Sequence, residues 1–385
     1  MKKDFVSLLV GVLIAVILFT CLEVFFKKNE KAQWIKKTEI QYQTADIDIH
    51  ASKELRSIAE KHPTFQWKPR ISGQDSSLIL EGVDSTNKGS IGCCILNGEF
   101  AKEGSFTSKT VTRKTRTTIY EVGFTFDAFG RRRTPQIGDP HRQILLFGDS
   151  FVLGEGVNDG ETAASRLANM RPSTQVYNLG LANNGPNQFL YETTMLPSPR
   201  IDSIPKIKTV AIYTYMDDHL ERMICRSRCL EPENNWILEL PEYELTDGKL
   251  KFKHAFSERK ELNAFYKYFA NSATIKFFGL VWPLDFGDDD FKMFVLMMKE
   301  ADAQLKKRYG PETELYVAFF PGFSGRYSGQ LAKALTARNI KTLDYSNIDM
   351  AYVTENREKI VADGHPTPIS QYIYAYLLNR DLPQQ

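Results

Sequence analysis

Apolar and polar positions along this chain fall into three successive patterns. From Phe5 to Leu22, FVSLLVGVLIAVILFTCL, about eighteen positions carry no charge, nearly enough helix to cross a hydrocarbon core. Residues 27–50 are polar, and 51–61, ASKELRSIAEK, read as a short amphipathic helix. From about 64 to 135 the pattern shortens. SSLILEGV (76–83), GSIGCCILNGEF (89–100) and TTIYEVGFTFDAFGRR (117–132) predict strands joined by turns.

From residue 143 onwards, strand-like runs alternate with helix-like ones. QILLFGD (143–149), TQVYNLG (174–180), TVAIYTYM (209–216), TELYVAFFPG (313–322) and IKTLDYS (340–346) predict strands. DGETAASRLANM (159–170), NQFLYETTML (187–196), residues 288–310, GQLAKALTARN (329–339) and ISQYIYAYLLNR (369–380) predict helices. Asp159 is the expected N-cap of the first. The 288–310 stretch opens on three aspartates and closes on basic residues and Gly310, matching the helix dipole. Strands separated by helices predict a parallel sheet covered on both faces. Such sheets take ligands beyond the carboxyl ends of their strands. Residues 225–275 show no clear periodicity and are expected as an insertion over that edge. The organisation expected is a transmembrane anchor (1–27), a linker or stalk with a short helix (28–62), a small β-rich subdomain (63–138) and the main α/β domain (139–385).

Composition changes this picture little. The 385 residues are 42% hydrophobic and 25% charged, as in ordinary globular domains. Lys+Arg number 49 against 47 Asp+Glu, a net +2 that gives no electrostatic case for a nucleic-acid partner. TRKTRT (112–117) and GRRRTP (130–135) therefore read as a solvated strand face and a turn. Around the apolar run, no small-x-small cleavage site is evident, and Phe19 and Thr20 do not suit a lipidated Cys21. An uncleaved single-pass anchor is expected. Lysines after the run (Lys27, Lys28, Lys31, Lys36, Lys37) would by themselves hold the domain in the cytoplasm. The short stub before it and the even set Cys93, Cys94, Cys225 and Cys229 argue instead for an extracytoplasmic domain with a disulfide involving Cys225 or Cys229. CRSRC (225–229) lacks the second ligand pair of a zinc site.

Candidate chemistry centres on LLFGDSFVLGEGV (145–157). A buried run stops at Gly148, and Asp149 and Ser150 follow at what would be the carboxyl edge of a strand. Ser150 there is placed either to cap a helix or to act as a nucleophile. A nucleophile needs a base. Of six histidines, His365 stands in VADGHPTPIS (361–370), just before the last helix, with Asp363 two residues earlier. Extended residues two apart share a side, so one loop can carry both the base and the carboxylate that orients it. The α/β-hydrolase elbow G-x-S-x-G is absent, because Val152 stands where its last glycine would be.

FGDSFVLGEGV with the late DGHP resembles the SGNH, or GDSL-type, esterases and acyl-ester hydrolases over about residues 143–380. EVGFTFDAFGRRRTP (121–135) resembles a lead-in segment of some bacterial members. The resemblance implies a flavodoxin-like three-layer α/β/α sandwich with a parallel sheet, here preceded by a transmembrane helix and a β-rich subdomain. It implies Ser150 as nucleophile, His365 as base and Asp363 as its partner, with D-x-H in place of the usual D-x-x-H, where Ala362 stands. The family's oxyanion donors are the serine N–H, a second-motif glycine N–H and a third-motif asparagine amide. YNLGLANNGPNQ (177–188) takes the second motif, with Asn183 at the glycine position and Gly180 and Gly185 nearby. YTYMDDHLER (213–222) takes the third, with Asp217 at the asparagine position. A carboxylate there would repel an oxyanion, so either Asp217 turns away or the donor comes from Asn184 or Asn187. Asp217, Asp218 and His219 read as a loop cluster; neither metal nor cofactor is implied.

The implied activity is hydrolysis of an O-acyl ester, with acetyl groups on an envelope polysaccharide as the substrate that family and anchor together suggest. Two other readings stand beside it. One is an O-acyltransferase, in which a sugar hydroxyl replaces water. The other is a catalytically degenerate binding or assembly protein of a surface-polymer system, for which Asp217 is the best support.

Overall fold

The computed structural model describes residues 18–24, 47–66, 78–81, 101–112, 118–194, 197–230, 235–278, 280–283, 285–360 and 363–383. Residues 1–17, most of the expected anchor, lie outside these, as do Cys93, Cys94 and the strand expected over 89–100. Residues 18–24 are helical. Among the described residues no helix is long and apolar enough to cross a membrane.

Helix α1 (Ile49–Glu60) starts at Asp48, whose side chain accepts from Ala51 N. Its Leu55 and Ala59 are buried in the main core, so the helix expected within a stalk is part of the globular body. Strands β1 (Leu78–Glu81), β2 (Gly104–Thr112) and β3 (Thr118–Phe126) form an antiparallel sheet in that order. β2 has no counterpart in the sequence reading, because its buried positions include Ser108 and Thr110, which break the apolar alternation.

The main body runs β4 (Arg142–Gly148), α2 (Ser150–Leu153), α3 (Ala163–Met170), β5 (Thr174–Gly180), α4 (Pro186–Thr194), β6 (Lys208–Tyr215) and α5 (Asp218–Ile224). An insertion follows, with strands β7 (Pro241–Thr246) and β8 (Lys249–Ala255) and helices α6 (Lys260–Asn271) and α7 (Ala273–Phe278). The chain then returns through α8 (Asp288–Tyr309), β9 (Glu314–Phe319), α9 (Ser328–Thr336), β10 (Lys341–Asp344), α10 (Met350–Thr354) and α11 (Pro368–Asp381).

The central sheet is parallel throughout, in the order β10-β9-β6-β4-β5. Counted in chain order its strands run 2-1-3-4-5, the doubly wound order of flavodoxin-like sheets. The near-continuous apolar runs of β4, β6 and β9 reflect burial on both faces. Ile144, Leu146 and Ile212 point into one core with Leu167 of α3 and Ile373, Tyr374 and Leu377 of α11. Leu145, Phe147 and Tyr213 point into the other with Phe189 of α4 and Phe294, Met298 and Leu305 of α8.

Several expectations change on contact with the structure. Asp159 does not cap a helix. A 3-10 turn occupies Asp159–Glu161, and α3 begins at Ala163 under Thr162, whose hydroxyl accepts from Ser165 N. The insertion holds a β7–β8 hairpin, with a register shift between Pro241 and Tyr243, closed by Asp247 and Gly248 with φ of 52° and 72°. Cys225 and Cys229 are free thiols rather than a disulfide. They pack with Ile237, Leu240 and Phe256 as small apolar residues, and burial together with the neighbouring Cys225 raises the Cys229 pKa. GRRRTP is not a solvated turn, since Arg131 and Arg132 are buried.

Candidate active site

β4 is an inner strand, flanked by β6 and β5, and its carboxyl end carries the candidate serine. Gly148 ends the strand where a Cβ would sit 2.5 Å from Val152 Cγ2, so the turn closes tightly onto α2. Asp149 caps α2 by accepting from Phe151 N at 3.0 Å. Ser150 is thus the first residue of a four-residue helix that ends at left-handed Gly154. At the end of β5, a Cβ on Gly180 would meet Leu153 N at 2.1 Å, so this glycine sets a close backbone approach rather than a contact of its own.

Ser150 Oγ lies 2.9 Å from His365 Nε2, and His365 Nδ1 lies 2.7 Å from Asp363 Oδ2. The sequence-predicted serine, histidine and aspartate therefore form one hydrogen-bonded series. A second carboxylate completes the group: Glu155 Oε2 is 3.5 Å from the same Nε2. Burial opposes charge on His365, but Glu155 and Asp363 outweigh it and raise the imidazole pKa to about 9. Burial raises the pKa of Glu155 itself.

Asp149 is buried, which by itself would raise its pKa. Arg222 and His219 instead hold it well below the usual carboxylate range. Arg222 Nη1 donates to Asp149 Oδ2 and to the Asn184 carbonyl, both at 2.7 Å. His219 Nε2 is 3.5 Å from Asp149 Oδ2, and its Nδ1 is 2.8 Å from Tyr213 Oη.

The sequence-predicted oxyanion residues divide. Asn183 sits in the left-handed region at φ 62°, which explains an asparagine where glycine is usual. Asn184 Nδ2 donates to the Gly148 carbonyl at 3.2 Å and its Oδ1 accepts from Gly185 N at 2.7 Å, so it braces the serine turn. Asn187 Nδ2 donates to the Pro241 carbonyl at 2.7 Å, in the inserted hairpin. Asp217 is engaged by the loop after β9. Its Oδ2 accepts from Arg326 N at 2.9 Å and its Oδ1 from Tyr215 Oη at 3.3 Å. Burial raises the Asp217 pKa to about 6 against those donors. Among the described residues no cluster of histidine, cysteine and carboxylate side chains could hold a metal ion.

Three side chains that the sequence did not mark as parts of the site belong to it. Arg222 and Glu155 are two. The third is Arg132, wholly buried, which donates to the carbonyls of Leu153, Gly154, Val157 and Gly123 at 2.6–3.1 Å and to Asp159 Oδ1 at 2.8 Å. Its guanidinium lies 4.0 Å above the Phe124 ring. Through it the β1–β3 sheet grips the loop that follows the serine. Phe124, Tyr120 and Val122 of β3 cluster with Leu153 at the end of α2, Ala182 after β5 and Ile360 ahead of Asp363 and His365.

A cleft of about 420 Å³ is lined by Met216, Asp217, Phe323, Met350, Glu358 and Lys359 among others, and by neither Ser150 nor His365. Phe323 joins it to the site: its ring packs 4.7 Å from Phe151, which meets His365 edge-on at 5.7 Å.

No protein-family model and no curated protein matches the chain. Solved structures do. One is a G-D-S-L family protein from Desulfitobacterium hafniense (12% identity, TM-score 0.34, covering 62% of this chain and 98% of that one). Another is a member of the lipolytic protein G-D-S-L family from Veillonella parvula (11%, 0.35, 63% and 100%). A third is protein YXIM from Bacillus subtilis (10%, 0.35, 72% and 64%). At these identities and TM-scores the likeness does not extend to the reaction.

Proposed function

We propose that this chain is a membrane-anchored serine ester hydrolase of the SGNH type. The observation that carries this reading is the series Ser150 Oγ, His365 Nε2 and Nδ1, Asp363 Oδ2, set at the carboxyl edge of a parallel sheet. Ser150 Oγ attacks the acyl carbon and its proton passes to His365 Nε2. The carbonyl π electrons move onto oxygen, and the backbone N–H groups of Ser150 and Asn183 are the donors assigned to it. Collapse of this intermediate breaks the ester C–O bond, and the departing alkoxide takes the proton from His365. Water then attacks the acyl-enzyme by the same steps, releasing the acid and restoring Ser150. Asp363 keeps His365 oriented and stabilises its imidazolium. The substrate proposed is an O-acyl ester on an envelope polysaccharide, entering by the cleft beside Phe323.

The engagement of Asp217 with Arg326 N favours one second reading, a binding protein that has lost the chemistry, because the third-motif amide donor is missing. Trapping of the full chain with a fluorophosphonate, followed by peptide mapping, separates the two. The hydrolase gives a single adduct on Ser150, abolished in Ser150→Ala and in His365→Ala. No adduct on Ser150 overturns the hydrolase and selects the binder.

A further inference from the structure

Fourteen large apolar side chains stand exposed among the described residues, and ten of them lie in just two segments, 18–24 and 262–282. An ordinary surface scatters such residues singly. The two segments also meet. Glu23 accepts from Ser272 Oγ at 2.7 Å, Ala273 N at 2.6 Å and Thr274 N at 3.1 Å, where α6 passes into α7. The Phe19 ring lies 6.4 Å from that of Tyr268. Helix α6 buries Tyr266 towards the domain and turns Leu262, Phe265 and Tyr268 outward at about one-turn spacing. Phe265, Phe269 and Trp282 run on in ring contacts of 5.0 and 5.9 Å. Phe277 and Phe278 follow on α7, so that exposure along this face ranges from 37% at Phe277 to 60% at Tyr268.

We propose that this face, made by α6, α7 and Trp282, is a membrane-docking surface that lies in the interfacial zone of a lipid bilayer. Chain continuity selects the occupant. The uncharged run from Phe5 to Leu22 leads directly into residues seated on this face, and Glu23 fastens the junction. A bilayer that takes up the run meets residues 262–282 next. Tyr268 and Trp282 have the amphipathic rings that favour the head-group boundary, and the phenylalanines suit the acyl side of it. Lys260 and Lys267 on α6, and Lys27 and Lys28 just beyond the apolar run, match anionic head groups. The surface is coupled to the serine edge. Arg259, just before α6, donates to the carbonyls of Ile224 and Cys225 at the end of α5, the helix that carries Arg222. Docking therefore fixes how the serine-bearing edge of the sheet faces the membrane. Docking rests on the proposed membrane anchor and is independent of the ester chemistry.

The test is carbene labelling of the full chain in phosphatidylcholine–phosphatidylglycerol vesicles doped with a phosphatidylcholine that bears a diazirine in its acyl chain. Adducts are mapped by mass spectrometry. Docking places adducts on residues 262–282 as well as 5–22, and none on the peptide of Phe129, an exposed aromatic on the turn after β3. Adducts confined to 5–22, or equal labelling at Phe129, overturn the proposal. So does crosslinking of 262–282 to residues 25–46 or to a second copy in place of lipid. In the triple variant Phe265→Gln/Phe278→Gln/Trp282→Gln, labelling of 262–282 falls several-fold while that of 5–22 persists; unchanged labelling of the segment also overturns it. Fluorophosphonate trapping of the same samples reports the serine separately, so failure of one reading leaves the other legible.

Discussion

Arg222 reaches Asp149 across 73 residues of sequence, Nη1 to Oδ2 at 2.7 Å, and the pair is buried beside the candidate nucleophile. The same nitrogen donates to the Asn184 carbonyl, so one guanidinium ties the serine turn to the loop after β5. A charge buried in this way is held by its partner, and removing one member leaves the other uncompensated. Arg222→Met is expected to cost on the order of 3–5 kcal/mol of stability, read as a lower melting temperature. Adding Asp149→Asn should recover much of that loss, because the stranded charge is gone. Equal melting of Arg222→Met and the parent would show that the pair contributes nothing.

Arg132 gives a second expectation, about position rather than charge. Its fork satisfies four backbone carbonyls at once, three of them in the loop after Ser150. Lysine keeps the charge but has a single nitrogen and no planar fork. Arg132→Lys should therefore lower both thermal stability and the rate of fluorophosphonate capture at Ser150. Capture at the parental rate in Arg132→Lys would mean that the loop holds its shape without the fork.

These two arginines also mark where the sequence stops being legible. β4 and its serine can be read because a strand buried on both faces must be apolar and must stop where the chain turns, at Gly148. Asp363 and His365 can be read because they are close in sequence. Arg132 and Arg222 act on carbonyls and two carboxylates 9 to 73 positions away, and no local period encodes such contacts. Asp159 illustrates the cost: it has the residue type of an N-cap, yet its carboxylate is taken by Arg132 and by Thr125 N. The β7–β8 hairpin is a different case. Its signal was present as Asp247–Gly248 between alternating residues, and the positive φ at both positions is the type I′ geometry that this dipeptide favours.

Glu155 sets the expected pH dependence. His365 acts as a base only when neutral, and its pKa is raised to about 9. Ester hydrolysis, followed as kcat/KM, should therefore climb with pH and level off above about pH 9. Glu155→Gln removes the carboxylate 3.5 Å from Nε2 and should move that limb to lower pH, raising the rate near neutrality. The sign for stability runs the other way. A histidine pKa raised from 6.5 to about 9 stabilises the fold fully below about pH 6.5, and that contribution is lost as the pH passes 9. An unmoved limb in Glu155→Gln would remove Glu155 from this account.

Asp217 yields the most discriminating substitution. It stands where an asparagine donor was expected, and the structure gives its carboxylate two donors, Arg326 N and Tyr215 Oη. Asparagine can keep both links: Oδ1 accepts from Arg326 N, and Nδ2 donates to Tyr215 Oη, which accepts as readily as it donates. With the side chain committed to the β9–α9 loop, Asp217→Asn should leave the turnover of a simple ester unchanged within about threefold, well short of the roughly hundredfold or greater effect of an oxyanion donor. Stability should respond instead, and with a definite sign. Burial raises the Asp217 pKa from 3.8 to about 6, so the folded state resists ionising this group. Its contribution is neutral below pH 3.8 and turns unfavourable as the pH rises to 6 and beyond. Asp217→Asn should thus melt like the parent near pH 3.5 and above it at pH 7, with the gap opening between these values. A large gain in turnover, with no such pH-dependent gap, would mean that the side chain faces the serine after all.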